Sequence, residues 1–297
     1  MRVGFRLPTS GRRVDANALL RQARALEAAG AASLWLSDHV VQPTVIRSRY
    51  PYAADGTAAW DPTGDYLEAV TVLAALAVAT ERVELGTAVL VVPQRAPVLL
   101  AKQLATVSAL AGGRLALGVG AGWLAEEFAA LGADFASRGR LLDEGIAVLR
   151  QAWTGTLPPR SGLQATWTDE LAVRPVPVVP IPILVGGMGP AAMRRVARAG
   201  NGWVAQVRAD GEGLAALADG VRALGAALTE AGRARDDVRI VVRCSGSASP
   251  SVVAALARGM AALGAGDVIL DAPADADDAG ERLAAIAAAL ADEGPAG

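Results

Sequence analysis

Apolar residues in this chain fall into short unbroken runs separated by longer stretches with helical spacing. The runs lie at residues 3–7, 33–37, 83–92, 115–119, 183–185, 202–207, 238–243 and 267–270. Each is followed by at least one stretch in which apolar side chains recur every three or four residues, the signature of a helix with one buried face. After the first run, Asp15 offers an N-cap, Leu19, Ala23 and Leu26 form the stripe, and Gly30 closes it. After the second, Asp65 and Glu68 form a capping-box-like pair ahead of Tyr66, Val70, Leu73 and Ala77. Pro97 opens a helix through Leu100, Leu104 and Val107, and helical patterns cover 124–131 and 140–153. Strands alternating with helices imply parallel pairing. Eight such units imply an α/β fold of the closed (β/α)8 TIM-barrel type, spanning 1–297 as one domain. An open doubly wound sheet is the competing architecture. Residues 154–180, rich in proline, break the rhythm and form a short excursion outside the barrel.

Composition narrows the functions. Hydrophobic residues make up 53% of the chain, enough for a large core. A net charge of −2 gives no reason to expect nucleic acid or an anionic membrane. A single cysteine, Cys244, excludes an internal disulfide and a thiolate zinc cluster, and a single histidine excludes a histidine-rich metal site, so no metal is expected. The one lysine, Lys102, sits within a helical pattern and not at a strand end, where a Schiff-base lysine would be useful. No apolar run reaches the roughly 18 residues of a spanning helix, and the first residues read as a strand, with no signal-peptide core. The expectation is a cytoplasmic protein acting on a small molecule.

A parallel barrel carries its chemistry at the C-terminal ends of its strands. Those ends hold residues 8–10, Asp38-His39, residues 87–89, residues 120–123, residues 186–189, Gln206, Arg243 and Asp271. They supply one imidazole, several glycine turns and few charges, which suits a large planar ligand with a phosphate tail. His39 is able to pass a proton near neutral pH, with Asp38 either orienting it, contacting a polar ring edge or capping the loop. Gly186-Gly187-Met188-Gly189 lies between a strand and Pro190, either as a phosphate cradle at a helix N-terminus or as a plain tight turn. Gly86 marks a bulge or a close backbone approach, and Thr87, Ala88 and Val89 either let backbone near a ring or form an ordinary bulge. Trp123 packs on a ligand or covers the rim. Arg138 and Arg140 pair with acidic ligand groups or with Glu126 and Glu127. The long loop 40–64 and the excursion 154–180 are the segments placed to contact a substrate.

Three segments, 27–40, 79–132 and 180–204, together resemble the luciferase-like monooxygenase family, in its branch of deazaflavin (coenzyme F420)-dependent oxidoreductases. The resemblance implies a luciferase-like barrel with cofactor across the strand ends. Asp38 and His39 would lie near the deazaflavin ring as catalytic and binding residues. A non-proline cis peptide would lie within Thr87–Val89, at Ala88-Val89, beneath the ring. Gly120, Gly122 and Trp123 would line the seat, and Gly186, Gly187 and Met188 would hold the phosphate. Sugar-phosphate dehydrogenases of this branch carry a glutamate where this chain has Trp123, which argues against a sugar-phosphate substrate. The implied activity is hydride transfer between F420 and an organic substrate. The alternatives are an FMN-dependent monooxygenase with a separate reductase and a non-catalytic flavin- or deazaflavin-binding barrel. The resemblance also implies a homodimer.

Overall fold

Eight parallel strands close on themselves in chain order: β1 (Arg2–Arg6), β2 (Ser33–Leu36), β3 (Glu84–Thr87), β4 (Leu115–Gly120), β5 (Ile183–Gly186), β6 (Gly202–Arg208), β7 (Arg239–Ser245) and β8 (Asp267–Asp271). Pairing of β4 with β5 and of β8 with β1 seals the barrel. The computed structural model describes residues 1–53, 55–58, 61–273 and 277–291. Helices α1 (Ala16–Ala28), α2 (Ala69–Ala79), α3 (Pro97–Leu110), α4 (Ala125–Ala130), α5 (Arg138–Ala152), α6 (Pro190–Ala199), α7 (Leu214–Glu230), α8 (Pro250–Ala262) and α9 (Asp277–Ala291) lie between and after the strands. The closed barrel is therefore the architecture, and the open sheet is set aside.

Two local expectations change. Glu68 is itself the N-cap of α2, accepting from the Thr71 N–H, while Asp65 pairs with Gly11 in a two-residue antiparallel strand and accepts from the Val14 N–H. The run 83–92 is not one strand. It breaks after Thr87 at Ala88-Val89, where the peptide is cis, and resumes at Leu90–Val91 before a 3-10 turn at Val92–Gln94. Burial on both sides leaves Thr87 as the one polar side chain between Leu85 and Val92, so hydrophobicity alone does not reveal the break, whereas the family resemblance implies a cis peptide at Ala88-Val89. The excursion holds two small antiparallel pairs, Thr156–Leu157 with Leu171–Ala172 and Arg160–Ser161 with Thr166–Trp167. It is fastened to α5 by Glu144, which accepts the Leu163 N–H.

Strand side chains alternate between two cores. One set, including Phe5, Leu34, Leu85 and Val242, packs with the helices. The other, Trp35, Ala116, Leu184, Val204, Val241 and Ile269, fills the barrel interior. Below it, at the N-terminal end, Arg239 bridges Asp267 and Glu84 at 2.7 and 2.8 Å, with Arg2 at 3.5 Å from each. Two arginines thus meet two carboxylates, and the floor is balanced in charge.

Interior glycines are required by close approach. A Cβ on Gly86 would meet the Trp35 ring and lie 2.9 Å from the Ala116 carbonyl, so the close backbone approach anticipated at this position is real. A Cβ on Gly118 would fall on the Thr87 carbonyl oxygen, a backbone atom that cannot swing away. Gly118→Ala is therefore expected to lose about 1–3 kcal/mol of stability, the usual cost of overpacking. A urea midpoint equal to that of the parent protein would refute this.

Candidate active site

The chain leaves β2 through Ser37, Asp38 and His39, so His39 stands at the C-terminal mouth of the barrel. Its Nδ1 lies 3.0 Å from Oε2 of Glu127 on α4. The other oxygen of Glu127 accepts the Val40 N–H at 2.6 Å and the Val41 N–H at 3.2 Å. Glu127 is 1% exposed. Burial pushes its carboxyl up, but the bond and charge of His39 together with the loop N–H groups outweigh that and hold it below the usual 4.5. The stabilisation from these contacts is complete above about pH 4.5 and is lost as pH falls through the depressed value. The rings of Tyr66 and Trp123 meet His39 edge-on, with centroids at 5.4 and 6.1 Å.

Asp38 does not hold His39 by hydrogen bond. Its carboxylate takes both N–H arms of Arg95, at 2.7 and 2.8 Å, and the Val91 N–H at 2.8 Å. Arg95 in turn reaches Glu68 at 2.9 Å. Asp38 therefore ties the end of β2 to the segment just past the Ala88-Val89 bulge. The role of orienting the imidazole falls to Glu127, which the sequence expectation had offered only as a partner of Arg138 or Arg140. Those arginines turn elsewhere: Arg138 stacks 4.0 Å over the Phe135 ring and Arg140 donates to the Ser137 hydroxyl.

Beside His39 the mouth is lined by small residues. Val89 packs into the space left by Gly120 and Gly186, where a Cβ would strike its methyl groups. Thr87 donates its hydroxyl to the Gly118 carbonyl at 2.7 Å, and Ala88 and Val89 pack against the interior core. Gly122, at φ +82°, turns the chain past Phe128 and Val91 towards Trp123. At the end of β5, Gly187 has φ +122° and its carbonyl accepts the Trp203 indole N–H, while the Met188 sulfur lies 3.4 Å from the Gln206 nitrogen. Among the described residues, the N–H groups of Gly187, Met188 and Gly189 donate to no protein acceptor. Free N–H groups entering α6 at Pro190 make a cradle fitted to a phosphate.

The loop after β2 closes over this mouth. Tyr50 stacks edge-on against Trp123 at 5.0 Å. Glu126 anchors the loop by accepting the Arg47 and Ser48 N–H groups at 2.5 and 3.1 Å and the Ser48 hydroxyl at 2.7 Å. Burial raises its carboxyl, but the Ser48 hydroxyl and these N–H groups dominate and bring it down to about 2. The anchor is complete above about pH 4.5 and is released between there and about pH 2. Glu126→Ala is expected to speed hydrogen exchange at Arg47 and Ser48 by roughly tenfold at neutral pH, the loss of a hydrogen bond worth about 1 kcal/mol or more. Unchanged protection at both amides would show that the loop is held by other contacts.

The adjoining wall carries charge: Arg243 and Asp271 were seen at strand ends in the sequence but given no role, and Arg6 was not singled out. Arg6 of β1 and Arg243 of β7 both donate to Oδ1 of Asp271 on β8, each at 2.7 Å. The available signal was a spacing: Arg2 and Arg6, Arg239 and Arg243, and Asp267 and Asp271 each lie four apart on one strand, hence on one face.

Comparison with known proteins agrees with this fold. An uncharacterized protein of Mycobacterium tuberculosis is 38% identical over 61% of this chain and 62% of its own length, so the match spans less than two thirds of that relative. The F420-dependent hydroxymycolic acid dehydrogenase of the same organism is 33% identical over 72% of this chain and 56% of its own length. Among solved structures, an F420-dependent secondary alcohol dehydrogenase in complex with an F420–acetone adduct superposes with a TM-score of 0.75 at 16% identity, covering 96% of this chain and 98% of that one, a likeness of fold. With a closed barrel, an imidazole at its mouth and a match to the luciferase-like monooxygenase family over residues 1–296, the chain belongs to that family.

Proposed function

We propose that this protein is an F420-dependent oxidoreductase that transfers a hydride between the cofactor and an organic substrate. The observation that carries the reading is the pairing, at one barrel mouth, of a Glu127-held imidazole with three free N–H groups at 187–189. Support comes from the relatives whose names state F420 dependence. The residues present fit the cofactor. Val89 and Ala88 would lie beneath the ring, Gly120, Gly122 and Trp123 beside it, and Gly187 and Met188 at the phosphate. When bound, F420 supplies a two-electron hydride carrier.

The chain's own residues do the rest. Glu127, as a carboxylate, fixes a proton on Nδ1 of His39, which makes Nε2 the nitrogen that gives or takes the proton accompanying hydride transfer. Asp38 and Arg95 act below the ring seat as a brace. Tyr50 and Trp123 cover the mouth and keep water from it. We place residues 1–297 in one barrel domain, acting without nucleic acid or membrane; among the described residues no helix is long and apolar enough to cross a bilayer.

The test is equilibrium fluorescence binding of the purified chain to F420 and FMN side by side. Binding of F420 at least tenfold tighter than FMN is expected. Preference for FMN, or binding of neither, overturns the reading.

A further inference from the structure

The barrel carries the same charged device at both ends of three adjacent strands, but balances it at only one. At the floor, Arg2 and Arg239 face two carboxylates, Asp267 and Glu84. At the mouth, Arg6 and Arg243 converge on one, Asp271, whose second oxygen accepts the Gly246 N–H at 2.9 Å. The position matching Glu84 at the top of β3 is taken up by the apolar Ala88 and Val89. Among the described residues this gives the Arg6–Arg243–Asp271 cluster one more positive charge than negative, set beside the carboxylates of Asp38 and Glu127 at the same mouth. It is held in place: Arg243 is only 9% exposed and is further pinned by donating to the Cys244 carbonyl at 3.0 Å. Burial and the nearby Arg6 charge both lower the Arg243 guanidinium, with Asp271 offsetting only part.

This wall is continuous with His39. Arg6 reaches the Ser37 hydroxyl at 3.5 Å, two residues before the imidazole. The Tyr66 phenol, raised chiefly by burial, bonds to Ser37 and senses Arg6, while its ring stacks on His39. The Tyr50 phenol, raised by burial, is pulled back by both Arg243 and Arg6, which puts it within electrostatic range of the pair. Two largely buried arginines that share a single carboxylate suit recognition of a further oxyanion, since guanidinium forks match carboxylate and phosphate geometry.

We propose that Arg6 and Arg243 together bind an oxyanion, a carboxylate or phosphate, on the substrate, so that the enzyme acts on anionic organic molecules. This rests on the F420 reading for the chemistry but not for the binding. The free N–H groups at 187–189 account for the cofactor phosphate separately, so the arginine pair is left to the substrate.

The test is calorimetric titration of the full chain, with and without F420, using benzoate and phenyl phosphate as oxyanion probes and benzamide as the neutral control. An aromatic probe suits a mouth formed by Tyr50, Tyr66 and Trp123. At least one oxyanion is expected to bind tenfold or more tightly than benzamide, and the stronger of the two names the group. Arg243→Gln and, independently, the more exposed Arg6→Gln should each weaken it at least tenfold while leaving F420 affinity unchanged. Asp271→Asn should tighten it by removing the competing carboxylate. Arg2→Gln, on the floor, should leave it as it was. Benzamide binding as well as benzoate, or Arg6→Gln binding as the parent does, overturns the proposal. So does an equal loss of F420 and probe affinity in the arginine variants, which would assign the pair to the cofactor tail. Oxyanion binding lost in the variants while the parent fails to bind F420 would sustain this proposal and reject the cofactor assignment.

Discussion

His39→Ala should lower turnover by about 10²–10⁴-fold, the range for removing a positioned proton donor or acceptor, with F420 binding and far-ultraviolet circular dichroism retained. The argument is geometric. His39 is the chain's only histidine, it stands at the barrel mouth, and its Nδ1 is held at 3.0 Å by a carboxylate that also secures the next two backbone N–H groups. An imidazole fixed in this way has its Nδ1 committed to Glu127, which sets the ring's tautomer and its orientation at the mouth. Glu127→Gln tests the same arrangement one step removed. It retains an oxygen for the loop N–H groups but removes the charge facing Nδ1, so it should reduce kcat by tenfold or more with little change in KM. Turnover by His39→Ala within a few-fold of the parent would dismiss proton transfer at this residue. A fall in F420 affinity alone would make His39 a cofactor contact only.

The largest effect on stability is expected at Arg95. It meets Asp38 with both arms and reaches Glu68, with only 12% of its side chain exposed, while the Asp38 side chain is fully buried. Burial opposes the Arg95 charge, but the Asp38 and Glu68 carboxylates outweigh it and raise the guanidinium above its ordinary range. Arg95→Ala would leave Asp38 a buried, uncompensated charge, at a cost of about 3–5 kcal/mol. Asp38→Asn with Arg95→Met removes both charges and should recover much of the loss, because the penalty comes from the orphaned ion and not from the absent pair. Denaturant titration of the single and double variants decides it: a single variant as stable as the parent, or a double variant less stable than the single, would mean that the pair is not what braces this region. Because Asp38 also accepts the Val91 N–H, the single variant should loosen the segment around Ala88-Val89 as well.

These two sites show where sequence reasoning reaches and where it stops. The alternation of strand and helix, the mouth positions of His39 and of residues 186–189, and the barrel itself follow from local periodicity, which the chain carries within windows of ten or so residues. Segment resemblance added the family. What local pattern could not supply was the partner of each charged group. Asp38 and His39 are neighbours in sequence, yet the backbone sends them to different partners: Arg95 lies 57 residues from Asp38 and Glu127 lies 88 from His39. Arg6 and Asp271 are 265 residues apart and meet only because β1 and β8 close the barrel. The break at residues 88–89 was hidden from periodicity, because a segment buried on both faces stays mostly apolar whether or not it remains a strand; it was the family resemblance that placed a cis peptide at Ala88-Val89, where the structure has it. The chain's own residues therefore determined the elements, their order and which residues stand at the strand ends. Closure of the barrel alone decided which charges are neutralised, which hydrogen bond orients His39, and that Arg6 and Arg243 share one carboxylate at the mouth where Arg2 and Arg239 meet two at the floor, because those contacts are made across the sheet and not along the chain.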